Sequence, residues 1–325
     1  MQSRSSEALS PAKRCESHQG HSRVASRLWE QPAFYSSTGE RSVDMNQYNL
    51  PINQIASEWT ANLMAKTRDR EEGVYLGSKD GREIFVDTLQ VSIPRHQNVG
   101  LGLELQEIAG GRLDGLGITV VSGVVPGGCA DGSIIMIGDS IASISVATRV
   151  NQKGSSGGLI EAQVITTIRT ECLGYDSTVD AISRLPPVSS REESFVLTIK
   201  RLRRKPRVNI KLQYPPSQGE PDMTIQLFAG ENLRMGMLVR GVKLNDSLAK
   251  RFDTKSEGNC GASGLCRTCA VCVVRGVELL NPQKVNEMQM LDDNPRWRLA
   301  CKAFVGYGMR EGEMVIKVNP NQWRE

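Results

Sequence analysis

Half of the eight cysteines in this chain lie in one short segment, GNCGASGLCRTCAVC, at residues 258–272. Three of them follow the pattern Cys260-x5-Cys266-x2-Cys269, and Cys301 lies 31 intervening residues further on, in WRLACKAF. Four thiolates form a soft donor set that suits an iron–sulfur cluster or zinc. A disulfide between Cys266 and Cys269 would be strained at this spacing. The segment therefore predicts a metal centre.

The residues around the cysteines help to choose between the two metals. Three glycines lie in the loop: Gly258, Gly261 and Gly264. They allow a loop to wrap around a bulky anion with its backbone N–H groups turned inward, as bridging sulfides require. A structural zinc site usually has two short C-x2–4-C knuckles. Only Cys266-x2-Cys269 fits that scheme unless Cys272 is counted, so the pattern favours a cluster over zinc.

Residues 207–321 resemble the plant- and vertebrate-type [2Fe–2S] ferredoxin family. GNCGASGLCRTCAV is similar to the family's cluster-binding loop, and RLAC at 298–301 is similar to the segment that carries its fourth ligand. The gap of five residues is that of the adrenodoxin-like branch, whereas the plant-type gap is four. The resemblance implies a β-grasp sheet and a [2Fe–2S] cluster. It implies these ligands: Cys260, Cys266, Cys269 and Cys301. It implies these loop-supporting residues: Gly258, Gly261, Gly264 and Thr268.

The remaining cysteines are interpreted as residues that do not bind metal. Cys272 falls where the family has a strand residue after the third ligand, so we expect a buried, inert core cysteine. Cys129 and Cys172 lie in apolar or loop segments of the first half of the chain, and Cys15 lies near its start.

Composition excludes several other classes of function. The net charge of +4 over 325 residues is mild and does not indicate nucleic-acid binding. No run of eighteen apolar residues occurs, so no membrane span is predicted. The three histidines form no recognisable Ser/His/Asp set, and no P-loop or dinucleotide motif occurs. These features favour an electron carrier or a complex subunit over an enzyme.

The pattern along the chain predicts an α+β protein with two folded units. The segments are a disordered tail or transit peptide at 1–42, a helix and hairpin extension at 43–83, a first domain at 84–202 with an insertion at about 148–170, and the ferredoxin-like domain at 207–321. In the extension, the apolar spacing predicts a helix over 50–66, followed by a hairpin whose turn is KDGR. The basic run RLRRKPR at 201–207 is interpreted as a solvated linker. The more specific alternative is a docking patch.

The first domain resembles a PDZ domain, which implies a partly open β-barrel. VGLGLEL at 99–105 is similar to the family's carboxylate-binding loop, and YDSTVDAI is similar to its groove helix. The resemblance implies that Gly100, Leu101, Gly102, Leu103, Tyr175 and Val179 bind a peptide. A glycine loop can hold a terminal carboxylate, and an open strand edge can accept a C-terminal peptide or an internal strand. Tyr175 stands where a residue that reads Ser or Thr would be expected, which predicts an apolar-selective groove. The alternative is a packing module whose groove is covered by the insertion.

Basic residues are frequent near the predicted ligands: Arg251, Lys255, Arg267, Arg275, Arg296, Arg298 and Lys302. They would weaken steering toward a basic reductase and so favour a fixed electron-transfer subunit over a mobile carrier.

A peptide-binding unit joined to a one-electron centre is similar to auxiliary subunits of plastid electron-transfer complexes. We therefore expect one-electron transfer within a larger, photosynthetic membrane complex, with a thylakoid-associated place on the stromal side. The mitochondrial matrix is the second location, favoured by the five-residue gap. The alternatives are a structural or assembly scaffold whose cluster only stabilises the fold, and an oxidoreductase part whose catalytic partner is another chain.

Overall fold

The computed structural model describes residues 43–66, 71–151, 160–190, 192–254 and 258–323, so the tail predicted at 1–42 lies outside it. Most of the regular structure is β-strand with a few short helices, which confirms the mixed α+β class. No sheet formed by the described residues closes into a barrel. Within the same ranges, no helix has the length and apolar character that crossing a bilayer requires.

The N-terminal extension contains α1 (Ile52–Glu58) and an antiparallel pair of strands, β1 (Trp59–Met64) and β2 (Gly73–Ser78). The helix predicted over 50–66 is therefore wrong beyond Glu58. Trp59 is buried, its indole N–H donates to the Gly138 carbonyl at 3.3 Å, and the chain after it pairs with β2. These tertiary contacts outweigh the apolar spacing. The hairpin predicted around the KDGR turn is also wrong, because β2 pairs with β1 and not with the segment after KDGR.

Four antiparallel strands form the main sheet of the first half, in the order β3 (Ile84–Pro94), β8 (Glu193–Arg204), β6 (Ser140–Asn151) and β7 (Ile160–Arg169). Beside it lie the hairpin of β4 (Leu103–Ala109) and β5 (Ile118–Val124) and the helix α2 (Tyr175–Ser183). Ile93, Ile144 and Leu197 are fully buried in the core between them.

The insertion predicted at 148–170 is strand at both of its ends. Residues 148–151 belong to β6 and Ile160–Arg169 is β7, and the two strands pair antiparallel, with Thr148 opposite Gln163. Residues 152–159 lie outside the described ranges. In the described residues on either side, the insertion predicted at about 148–170 therefore continues as the paired strands β6 and β7.

The basic run at 201–207 is a solvated linker only in part, because Arg204 and Arg207 are exposed but two other arginines are not. Arg201 and Arg203 lie on β8, are buried, and pair with Asp139 at 2.7 Å and with Asp87 at 2.9 Å. Only Lys205 and Pro206 separate β8 from the next strand, and burial lowers the pKa of Lys205. The prediction failed because the carboxylates that neutralise the arginines lie far away in the sequence.

The second half is built on a five-stranded mixed sheet. Its strands and helices are β9 (Arg207–Gln213), β10 (Met223–Phe228), α3 (Leu233–Val239), β11 (Ala270–Arg275), α4 (Val285–Met290), β12 (Trp297–Leu299) and β13 (Gly312–Val318). The sheet order is β10-β9-β13-β11-β12, and only β9 and β13 pair in parallel. Leu233 and Met237 of α3 are buried in a core with alternate residues of β9, such as Ile210.

Candidate metal centre

Strand pairing brings the distant Cys301 next to the cysteine loop. Cys269 directly precedes β11 and Cys301 closely follows β12. These strands pair with Ala270 opposite Leu299, and the Ala300 N–H donates to the Cys269 carbonyl at 3.0 Å. The sheet therefore fixes the position of Cys301 relative to Cys269.

The four thiols form two hydrogen-bonded pairs, Cys260 with Cys266 and Cys269 with Cys301. Cys266, Cys269 and Cys301 are buried, whereas Cys260 is partly exposed. Burial opposes ionisation of Cys260. Hydrogen bonds from the backbone N–H groups of Leu265, Cys266 and Gly264, together with the Cys266 thiol, nevertheless lower its pKa to about 7. The loop thus turns successive amides toward the sulfur that is nearest to solvent.

The second pair is buried, and its two thiols are linked by a hydrogen bond. A hydrogen bond with Cys269, then burial, then the charge on Cys269 raise the pKa of Cys301. The hydrogen bond from Cys301 lowers the pKa of Cys269. The two sulfurs are thus close enough to share a hydrogen bond.

Pairs of sulfurs suit two metal ions better than one. A single tetrahedral zinc needs its ligand sulfurs around one point, each about 2.3 Å from the metal. A cluster with two irons would take two cysteines on each, and the hydrogen bonds of Cys260 with Cys266 and of Cys269 with Cys301 group the sulfurs in that way. The four-thiolate donor set therefore fits a [2Fe–2S] cluster.

The predicted loop-supporting residues surround the first sulfur pair. Gly258, Gly261 and Gly264 all have positive φ, of 74°, 63° and 86°. A Cβ on Gly264 would lie 2.6 Å from Cε of Lys302, a contact that the flexible lysine can relieve, so it is the positive φ that requires glycine here. The Thr268 hydroxyl lies 3.0 Å from the Cys266 sulfur in a buried contact.

Two residues that hold the centre in place were not predicted from the sequence. The Asn232 side chain caps α3 by accepting from the Met235 N–H at 3.1 Å, and it donates to the Cys301 carbonyl at 3.0 Å. Arg251 donates to the Gly258 carbonyl at 2.6 Å. Asn232 precedes an apolar run, which is the usual signal of a helix N-cap; nothing in the sequence indicates the second role of Asn232 or the role of Arg251.

Cys272 lies apart from both sulfur pairs. It is on β11, opposite Trp297 on one side and Lys317 on the other. Burial raises the pKa of its thiol. It is only partly buried, so the expected buried core position is wrong in degree.

Three of the seven basic residues near the ligands are paired with carboxylates. Arg251 pairs with Asp253, Arg275 with Glu313 and Arg298 with Glu287. Lys255 lies outside the described residues. Arg267 stacks on the ring of Phe252, with its guanidinium carbon 3.8 Å from the ring centroid. The positive face expected from the sequence is therefore smaller than the count of basic residues indicates.

A groove of about 300 Å³ lies between β4 and α2 in the first half of the chain. It is lined by Leu101, Gly102, Leu103, Leu105, Ile141, Val179, Ile182 and Ser183. Four of the six predicted peptide-binding residues thus lie together; Gly100 and Tyr175 do not line the groove. Tyr175 instead anchors the start of α2, because its N–H donates to a Glu107 carboxylate oxygen at 2.6 Å.

The loop at the end of the groove presents its amides outward. The carbonyls of Gly100, Leu101 and Gly102 accept hydrogen bonds from the N–H groups of residues 129, 130 and 125. Within the described residues, the N–H groups of Leu101 and Gly102 donate no hydrogen bond. Because the carbonyls are held on one side, these two amides are available to an anion on the other.

Comparisons with known proteins agree with the geometry. Residues 241–306, which include all four paired cysteines, match the family described as the 2Fe-2S iron-sulfur cluster binding domain. A curated relative, "Photosynthetic NDH subunit of subcomplex B 3, chloroplastic" from Arabidopsis thaliana, is 38% identical over 96 residues. That match covers 29% of this chain and 44% of the relative.

Two solved structures of low overall similarity are also matched. The ISC-like [2Fe-2S] ferredoxin from Pseudomonas putida is 22% identical, with a TM-score of 0.26, and the match covers 34% of this chain and 90% of that one. The ferredoxin from Trichomonas vaginalis is 17% identical, with a TM-score of 0.25, and the match covers 34% and 99%. From the family match and the two sulfur pairs, residues 241–306 of this chain are a [2Fe–2S] cluster-binding domain of the ferredoxin type.

Proposed function

We propose that this chain transfers single electrons through a [2Fe–2S] cluster held by Cys260, Cys266, Cys269 and Cys301. The observation that carries the proposal is the arrangement of these thiols in two pairs inside the matched domain. When bound, the cluster accepts and donates one electron at a time. Four cysteine ligands leave no open coordination position, so the role is that of an electron carrier or complex subunit and not of an enzyme.

The chain's own residues shield the cluster site from water and leave one side of it accessible to an electron partner. Cys266, Cys269 and Cys301 are buried, which excludes water from most of the site. Cys260 is the most exposed of the four, and Leu265, whose N–H contacts its sulfur, is half exposed. An electron partner therefore approaches from the side of Cys260 and Leu265.

The groove is proposed to hold the chain on a larger assembly. Its free amides at Leu101 and Gly102 suit a terminal carboxylate, and its apolar walls, including Val179 and Ile182, suit an apolar side chain. The ligand is an apolar C-terminal peptide of a partner protein, as the PDZ resemblance implies. The similarity to a chloroplast NDH subunit supports a photosynthetic complex in the plastid. A thylakoid-associated place on the stromal side follows from this proposal.

Washed thylakoid membranes test both parts together. We expect the full chain with its cluster to bind these membranes, and the cluster to become reduced when they are illuminated, as followed by low-temperature EPR. Binding without reduction would favour the scaffold alternative. Absence of both would contradict the proposal.

A matched pair of variants isolates the groove. Val179→Asp places a charge on the groove wall, whereas Val164→Asp changes an exposed apolar residue of β7 that does not line the groove. Both valines are partly exposed, so both variants should fold. Membrane binding should fall at least tenfold for Val179→Asp and stay unchanged for Val164→Asp. Equal binding by the two variants would refute docking through the groove.

A further inference from the structure

Arg234, on α3, is a buried cation without a carboxylate partner. Only 8% of its surface is exposed. Arginine is almost never buried to this degree unless it is paired. The other buried cations of the described residues each pair with a carboxylate: Arg95 with Glu193, Lys200 with Glu171, Arg201 with Asp139, Arg203 with Asp87 and Arg298 with Glu287. Arg234 has no ion-pair partner among the described residues, so its counter-charge must come from elsewhere.

The helix that carries Arg234 is bonded to the segment that carries the second sulfur pair. The Arg234 N–H donates to the Ala300 carbonyl at 3.0 Å, and the Ala300 N–H donates to the Cys269 carbonyl at the same distance. Asn232 holds the Cys301 carbonyl from the same end of α3. These bonds fix the start of α3 against Cys269 and Cys301.

Arg234 is therefore held beside the segment that carries Cys301, and its side chain is buried there. In a water-poor interior a fixed charge acts on a neighbouring charge much more strongly than it does in solvent.

We propose that the cluster is the counter-ion of Arg234, and that the fixed charge of Arg234 raises the reduction potential of the cluster. This inference rests on the proposed ligand set. Four thiolates and two sulfides outweigh two ferric irons, so the bound cluster is negative, and it gains one more negative charge on reduction. A buried positive charge stabilises the reduced form more than the oxidised form, and net charge is one of the quantities that set such potentials. Arg234 is a positioning residue in electrostatic terms and does not bind the metal.

The potential of three variants tests this inference on the full chain. Arg234→Met removes the charge and keeps much of the volume. We expect the ratio of reduced to oxidised cluster at a fixed potential to fall at least tenfold, which is about 59 mV for one electron. Arg234→Lys keeps the charge and should restore most of the loss. Arg240→Met is the matched control on the C-terminal side of α3, because Arg240 already pairs with Glu231, and it should leave the potential unchanged.

The melting temperature is a second readout, for the case in which the variants bind little cluster. Without the cluster, Arg234→Met should raise the melting temperature or leave it unchanged, because an unpaired buried charge is removed. With the cluster, the same change should lower it. A purely structural role would lower both melting temperatures, and that result would overturn the inference. An unchanged potential in fully loaded Arg234→Met would do so as well. Failure of the wild-type chain to hold a cluster would instead refute the proposed ligands.

Discussion

The contact between Thr268 and Cys266 gives a quantitative prediction about the cluster. The hydroxyl oxygen lies 3.0 Å from the sulfur, and both residues are buried. A metal-bound thiolate has no proton, so the Thr268 hydroxyl must be the donor. A donor to sulfur stabilises the reduced form, which carries the greater negative charge, and so raises the reduction potential.

The size of the effect follows from the strength of one hydrogen bond. The thiolate accepts this bond in both redox states, so only the difference in its strength shifts the potential. A net contribution of about 0.5–1.5 kcal/mol, with about 59 mV for each tenfold change in a one-electron equilibrium, sets an upper limit of roughly 20–60 mV. Thr268→Val should make the potential more negative by up to this amount, because it removes the hydroxyl and keeps the shape of the side chain.

The assay is a redox titration with mediators, followed by EPR, on wild type, Thr268→Val and Thr268→Ser. Thr268→Ser keeps the hydroxyl and should stay close to wild type. Two results would refute the reasoning: a Thr268→Val potential equal to that of wild type, or an equal shift in both variants. The second result would mean that packing of the methyl group, and not the hydrogen bond, sets the value.

Three further predictions concern stability. Gly102→Ala should lower the free energy of unfolding by about 1–3 kcal/mol, because φ is +75° and the new Cβ would lie 2.6 Å from Cα of Gly128. The control Gly111→Ala, at a similar φ but in open space, should lose less in thermal unfolding; equal losses would contradict the clash. Glu287→Gln should lower the free energy of unfolding, measured with denaturant, by about 3–5 kcal/mol. The reason is that the Glu287 carboxylate pairs with buried Arg298 at 3.0 Å and accepts a hydrogen bond from the Leu299 N–H at 2.7 Å. A loss below about 1 kcal/mol, as for exposed ion pairs, would contradict this. Burial opposes ionisation of Glu193, but hydrogen bonds, chiefly from Ser189, and the charge of Arg95 outweigh it and lower its pKa. The stabilisation that ionised Glu193 provides is therefore fully present above the unfolded pKa of about 4.3 and is lost as the pH falls through the lower folded pKa. On acidification the melting temperature of Glu193→Gln should therefore fall less than that of wild type. Parallel curves of melting temperature against pH would contradict this.

The metal centre could be predicted from the sequence because its signal is local. Three cysteines and three glycines within one loop define the chemistry without knowledge of the fold. Cys301 was found through a resemblance to a family, since its approach to Cys269 depends on the pairing of β11 with β12. The two-by-two grouping of the thiols is a property of the folded chain alone.

The sequence interpretation failed where distant partners decide the outcome. The spacing of Ile52, Ile55 and Trp59 indicates one long helix, but burial of Trp59 and the pairing of β1 with β2 end it at Glu58. The basic run at 201–207 looks solvated because Asp87 and Asp139, which neutralise Arg203 and Arg201, are remote in the sequence.

Arg234 was missed for a related reason. In ENLRMGMLV it resembles an ordinary solvent-facing helix residue, and only its burial in the fold shows that it lacks a carboxylate partner. Four of the eight groove-lining residues were predicted through the PDZ resemblance, but the free amides of Leu101 and Gly102 required the structure.

The ligand set is tested most directly by low-temperature EPR of the reduced protein, with iron and acid-labile sulfide analysis, on wild type, Cys269→Ser and Cys272→Ser. We predict equal amounts of iron and sulfide and a reduced-cluster signal in wild type and in Cys272→Ser, and loss or strong change of that signal in Cys269→Ser. A wild-type protein that holds zinc without sulfide, or a signal that survives Cys269→Ser and disappears in Cys272→Ser, would contradict the assignment of Cys260, Cys266, Cys269 and Cys301.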